Sequence, residues 1–240
     1  MTSGDLGSDL EAGRELQRHL LPRPLADLGD WDLAGDCVQA GAVGGDLFDW
    51  QRLGEKVQVV VADVMGKGLP AAMLSTVVRA MIRGASPYHN PADVLRRVAV
   101  DLADDLTEVG RFITVFAMRF QPGSDTVEYV DAGHGMAFVV SPGRGGRRLA
   151  SEGLPVGTLP DDSWRMHSTT VHPGDAVVAI SDGLHDAVGG LEPVIATADE
   201  ELASGADAAS LVATLTRLAR EADSDIVDDV TVVVARRLAG

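Results

Sequence analysis

Apolar positions along the chain fall into two rhythms, one of period two and one near 3.6, and their order predicts the elements. Trp31–Gln39, Asp46–Leu53 and Lys56–Ala62 read as strands, with Leu53–Lys56 a turn between the last two, and together they predict a β-meander. Phe112–Phe120, Thr126–Asp131, Met136–Val140, Trp164–Val171, Ala176–Ile180 and Asp229–Arg236 carry the same pattern. His172-Pro173-Gly174-Asp175 reads as a hairpin turn, and the glycine-rich stretch Pro142–Gly146 as a mobile one. Helical spacing marks Asp9–Leu21, which stops at Pro22 and Pro24. It marks a segment from Leu69-Pro70 to about Ile82, a segment capped by Asn90-Pro91 that carries Val94, Leu95, Val98, Leu102 and Leu106 before Gly110, and Asp207–Glu221. Strands at both ends and in the middle, with helical regions between them, predict a layered α+β domain with antiparallel sheets.

Composition narrows the classes. With 240 residues and 45% hydrophobic positions, one domain can bury a core without disulfides or structural metal. The balance of 20 basic against 36 acidic residues gives −16, which disfavours nucleic acid and anionic membranes as partners. A single cysteine, Cys37, excludes an internal disulfide and a multi-cysteine metal site. Neither a secretory leader nor an apolar stretch of spanning length is present, so the expected address is the cytoplasm.

Several acidic residues sit at the mouths of apolar strands. Asp46 follows Gly44-Gly45, Asp63 closes Val57–Ala62, Asp182 closes Ala176–Ser181, and Asp228-Asp229 open the last strand. A carboxylate beside a buried strand end is costly unless something positive neutralises it, and Lys67 is the only basic residue near Asp63 in the sequence. A divalent cation solves this, and an oxygen-only donor set suits Mg²⁺ or Mn²⁺ rather than zinc.

The ordered pieces Ala42-Val43-Gly44-Gly45-Asp46-Leu47-Phe48-Asp49, Ala62-Asp63-Val64-Met65-Gly66-Lys67-Gly68-Leu69-Pro70-Ala71-Ala72, Asp131-Ala132-Gly133-His134, Ser181-Asp182-Gly183-Leu184 and Asp228-Asp229-Val230-Thr231 resemble the motifs of the SpoIIE-type branch of metal-dependent (PPM) serine/threonine phosphatases. The segment Glu15–Pro22 resembles the linker helix that precedes this domain in the family. The resemblance implies a four-layer αββα sandwich spanning 31–240, with 1–30 a linker or dimerisation helix that would allow a homodimer. It implies two Mn²⁺ or Mg²⁺ ions: Asp63 bridging both, Asp46 and the Val64 backbone carbonyl on one, Asp182 and Asp228 on the other, and Asp229 as a supporting group. Such ions ready a water for in-line attack on phosphorus, so no side-chain nucleophile is needed. The implied substrate is a phosphoserine or phosphothreonine protein, a STAS-domain anti-anti-sigma regulator in partner-switching signalling. Two other readings compete: a non-catalytic interaction module that keeps the fold, and a hydrolase of small phosphoesters.

Ordinary roles are expected for the remaining chemistry-bearing residues. Asp49 reads as a solvated strand residue in preference to a distal metal ligand, Lys67 equally as a phosphate contact or as a loop lysine balancing acidic neighbours, and His134 as a hydrogen-bonded residue of a tight turn in preference to a proton-transfer group. His167 and His172 read as surface residues of a hairpin, and Cys37 as a small buried hydrophobe. Ser181, Asp182 and His185 lie within five residues and lack a nucleophile elbow, so they make no hydrolase triad. Gly66-Lys67-Gly68 lacks the glycine and the hydroxyl of a Walker loop. No arginine is assignable to a phosphate, and Ala187–Gly205 matches the family poorly.

Overall fold

A computed structural model describes residues 3–159, 163–222 and 226–239. Helix α1 (Ser3–Leu20) leads into ten strands: β1 (Trp31–Val38), β2 (Leu47–Leu53), β3 (Lys56–Val64), β4 (Ile113–Phe120), β5 (Thr126–Ala132), β6 (Ala137–Ser141), β7 (Gly145–Arg148), β8 (His167–Thr170), β9 (Ala176–Ile180) and β10 (Val230–Arg237). Helices α2 (Leu69–Ala85), α3 (Pro91–Asp101) and α4 (Ala103–Val109) follow β3, and α5 (Asp182–Val188), α6 (Leu191–Ala203) and α7 (Ala208–Ala222) follow β9. Two antiparallel sheets result, ordered β1-β10-β9-β6-β7 and β2-β3-β4-β5-β8. None of the described helices is long and apolar enough to cross a membrane.

Period-two alternation separates three cores and so dictates four layers. On β3, Val57, Val59 and Val61 face the other sheet together with Phe116, Met118 and Phe120 of β4 and Val233 and Ala235 of β10. Trp31 stacks on Phe120 here, at 4.2 Å between ring centres. The alternate residues Val60, Ala62 and Val64 meet Val78, Ile82, Leu95 and Val98 of the first helical group. On the outer side of the other sheet, Val178, Ile180, Val232 and Val234 meet Leu184, Leu211 and Leu215. Each of the larger side chains, Val and upward, contributes roughly 1.5–3 kcal/mol by leaving water, and both faces of each sheet are covered.

Several elements differ from expectation. β1 pairs with β10, from Trp31↔Arg237 to Val38↔Val230, so it lies in the opposite sheet from β2, and the meander is β2-β3-β4-β5 instead. β8 pairs with β5 and β9 with β10 and β6, so His172–Asp175 crosses between sheets and closes no hairpin. The glycine-rich turn continues into an edge strand, β7, paired with β6. The helix after Asn90 divides at Leu102, a buried residue at φ −107° and ψ 6°. The poorly matching stretch Ala187–Gly205 contains α6, whose buried Leu191, Val194, Ala198 and Leu202 recur at helical spacing.

Candidate metal centre

All four strand mouths open at one end of the sandwich. Asp46 stands one residue before β2, whose Leu47 pairs with Ala62, the neighbour of Asp63 on β3. Asp182 begins α5, two residues beyond the end of β9, and Asp228 and Asp229 directly precede β10. A hydrogen bond joins the two sheets here: the Thr231 hydroxyl donates to Asp46 Oδ2 at 2.6 Å, buried.

Asp229 organises the loops around this link. Its carboxylate accepts from the Ala40 amide at 2.9 Å and from the Asp46 amide at 3.4 Å. Ser181 ties the end of β9 to the start of β10, accepting from the Thr231 amide at 2.8 Å and donating to the Asp229 carbonyl at 3.0 Å. The glycines beside the aspartates make this closeness possible. A β-carbon on Gly44 would lie 1.8 Å from Asp229 Oδ2, one on Gly45 2.7 Å from the Val64 carbonyl oxygen, and one on Gly183 2.1 Å from the Asp229 carbonyl oxygen.

Two residues that sequence reasoning did not single out hold the loops. Gln17 of α1 donates to the Gly44 carbonyl at 3.0 Å and accepts from the Gly44 amide at 3.1 Å. Arg111 donates to the Met65 carbonyl, next to Val64. Neither carries a local signal, since each acts on a segment 27 or 46 residues away.

The electrostatics are those of crowded acids. Burial, followed by the charge of Asp63, pushes the Asp46 carboxyl well above the usual carboxylate range, and the Thr231 bond opposes this. Asp63 is raised to about 7 by burial, then by Asp182, Asp228 and Asp229. Burial and then Asp228 raise Asp182, and burial raises Asp229 against the bonds it accepts from backbone amides. No cationic side chain is among the leading influences on these groups. Among the described residues, no three histidine, cysteine or carboxylate side chains form a closed metal-holding set. The aspartates are near enough to repel one another without being drawn around a point.

Other expectations fare unevenly. Asp49 is buried rather than solvated, because α2 presents Arg83 at 2.7 Å and Arg79 at 3.3 Å to its carboxylate. His134 does sit in a tight turn, where the amides of His134 and Gly135 donate to Asp131 at 2.8 and 2.9 Å. Its buried ring stacks on Phe116, and burial lowers its proton affinity. His167 stacks on Tyr129 at 5.3 Å. Cys37 is partly buried, and burial followed by the charge of Asp46 pushes its thiol up. Lys67 lines a cleft that also touches Asp228 and Asp229.

Comparison with known proteins bears on the family and the fold. Residues 54–238 match the family model described as Stage II sporulation protein E (SpoIIE). Protein IcfG of Synechocystis sp. is 30% identical over 75% of this chain and 33% of its own length. Phosphoserine phosphatase RsbU of Bacillus subtilis is 25% identical over 75% of this chain and 54% of its own. The chain thus spans about a third to a half of these curated relatives. The SiaA-PP2C domain of Pseudomonas aeruginosa superposes with a TM-score of 0.82 at 18% identity, over 98% of this chain and 99% of that one. The two covered sheets are therefore the PP2C fold, and the chain belongs to the SpoIIE family.

Proposed function

We propose that this chain is a Mn²⁺- or Mg²⁺-dependent protein phosphatase acting on phosphoserine or phosphothreonine of a partner protein. The meeting of Asp46, Asp63, Asp182 and Asp228 from four strand ends supports the reading, because buried Asp46 and part-buried Asp63 and Asp182 crowd like charges together with no cationic side chain among their leading influences, which is otherwise costly. The donors are all oxygen, including the Val64 carbonyl beside Gly45, which fits hard divalent cations. Asp63 would bridge two ions, Asp46 and the Val64 carbonyl would hold one, and Asp182 and Asp228 the other. When bound, such ions supply Lewis acidity toward a phosphoryl group and an attacking water. The protein's own share is positional. Thr231 orients Asp46, Asp229 fixes the approach of the Gly44–Asp46 loop, and Ser181 holds Asp182 beside Asp228.

The proposed substrate is a phosphorylated STAS-domain anti-anti-sigma regulator, supported by the SpoIIE family membership and by the similarity to a phosphoserine phosphatase. Residues 1–30 are proposed as a linker and dimerisation helix, which light scattering of the chain with and without residues 1–22 would test. For the activity, phosphate release from a phosphorylated STAS domain is measured with Mn²⁺ and with EDTA. Turnover with Mn²⁺ that EDTA and Asp182→Ala abolish is the expected result. Tight binding without turnover under every metal condition would instead identify a non-catalytic module.

A further inference from the structure

Beside the aspartates the surface changes character. A cleft of about 570 Å³ touches Asp228 and Asp229 and is walled by Leu10 of α1, Val43, Leu69 at the start of α2, and Ile226-Val227. Leu69 is 49% and Val227 68% exposed. Scattered exposed hydrophobes need no explanation, but these share one concavity with two acids. Lys67 is the one basic residue among the described lining.

We propose that this cleft is a specificity subsite that takes an apolar side chain, such as Leu, Ile, Met or Phe, next to the phosphorylated residue of the protein substrate. The inference rests on the reading of the aspartate cluster as the phosphoryl site. A phosphorylated residue served at Asp228 has its chain neighbours only about 3.8 Å away along the backbone, so they must lie against the wall that shares Asp228. The described side chains of that wall, apart from the two acids and Lys67, are methyl and methylene groups from Leu10, Ala40, Ala42, Val43, Leu69, Ile226 and Val227. An acidic neighbour meets Asp228, Asp229 and a chain of net charge −16. The cleft exceeds any single side chain in volume, so it admits the flanking residue with part of its backbone.

Phosphoserine peptides differing only at the residues on either side of the phosphoserine, with Leu, Ser or Glu there, test this in the presence of Mn²⁺, alongside p-nitrophenyl phosphate. The expected result is a kcat/KM about tenfold higher for Leu than for Ser on at least one side, equivalent to about 1.4 kcal/mol, and lower again for Glu. In Leu69→Asp this preference collapses toward unity, while Val100→Asp, on the distant face of α3, retains it. An aspartate in the first turn of α2 is favoured by the helix dipole, so the variant is expected to fold. Equal rates for all three peptides with p-nitrophenyl phosphate still hydrolysed would overturn the subsite and leave the phosphatase reading standing. Absence of metal-dependent hydrolysis of every substrate would remove that reading and the subsite with it. A concentration-dependent dimer abolished by Leu69→Asp, together with flat peptide rates, would assign the cleft to a second copy of the chain.

Discussion

Thr231 on β10 and Asp46 at the mouth of β2, a strand of the other sheet, lie 185 positions apart, yet the threonine hydroxyl reaches the aspartate carboxylate at 2.6 Å in the buried end of the sandwich. This bond fixes the distance between the mouths of β2 and β10, and so whether carboxylates from the two sheets face a common point. Replacing the hydroxyl with a methyl in Thr231→Val leaves a buried acceptor unsatisfied. The expected cost is about 1–3 kcal/mol in urea unfolding, with a several-fold rise in the Mn²⁺ concentration that half-saturates activity. Unchanged metal dependence would show that the bond only joins the sheets.

Gln17 acts from further away. Its carboxamide satisfies both backbone groups of Gly44, while its oxygen also accepts from Gln39 at 2.7 Å. Gln17→Ala is expected to cost only about 0.5–1.5 kcal/mol of stability, yet to weaken Mn²⁺ binding several-fold in titration calorimetry. Full retention of metal affinity would confine Gln17 to anchoring α1.

Gly183 tests the steric argument. A methyl at this position meets the Asp229 carbonyl oxygen, so α5 must shift and carry Asp182 with it. Gly183→Ala is predicted to lose about 1–3 kcal/mol and at least tenfold in turnover. Wild-type turnover in this variant would show that the Asp182–Asp228 spacing is not critical.

The raised acids give the metal-free protein a defined pH response. Asp63 moves from an ordinary value of 3.8 to about 7 in the folded chain, so between these pH values the folded state holds more protons than the unfolded one. Stability from this group therefore falls as pH rises from about 4 to 7 and is flat above. Cations that take the place of those protons relieve the repulsion, so Mn²⁺ should raise the melting temperature more at pH 8 than at pH 5. Melting curves at both pH values with and without Mn²⁺ check this, and equal shifts would contradict it.

Much of the sandwich was legible in the chain because strands such as Lys56–Val64 are short, nearly continuous valine-rich runs bounded by turn residues, as strands covered on both faces are, and helices such as α3 place Val94, Leu95 and Val98 on one face. Pairing was not legible. Nothing in Trp31–Val38 indicates that its partner is the last strand rather than the next one, since the choice is made by cross-sheet packing such as Trp31 on Phe120. The aspartates could be singled out because each stands where an apolar run ends. Gln17, Arg111 and the burial of Asp49 could not, since a long polar side chain on a helix or loop has no sequence mark for the segment it will reach.

Asp49 supplies a control away from the metal centre. Its carboxylate holds Arg79 and Arg83 against β2, and Asp49→Ala leaves the mostly buried Arg79 without that partner. About 1–3 kcal/mol of stability should be lost, with metal affinity unchanged in the same calorimetric titration. A loss of metal affinity matching that of Thr231→Val would show that Asp49 belongs functionally to the centre.

The account as a whole stands on where divalent cations bind. Anomalous diffraction from a Mn²⁺-soaked crystal locates them directly. Two peaks are predicted, both contacting Asp63, one shared with Asp46 and the Val64 carbonyl and the other with Asp182 and Asp228. Peaks elsewhere on the surface, or none at this end of the sandwich at saturating Mn²⁺, would contradict it.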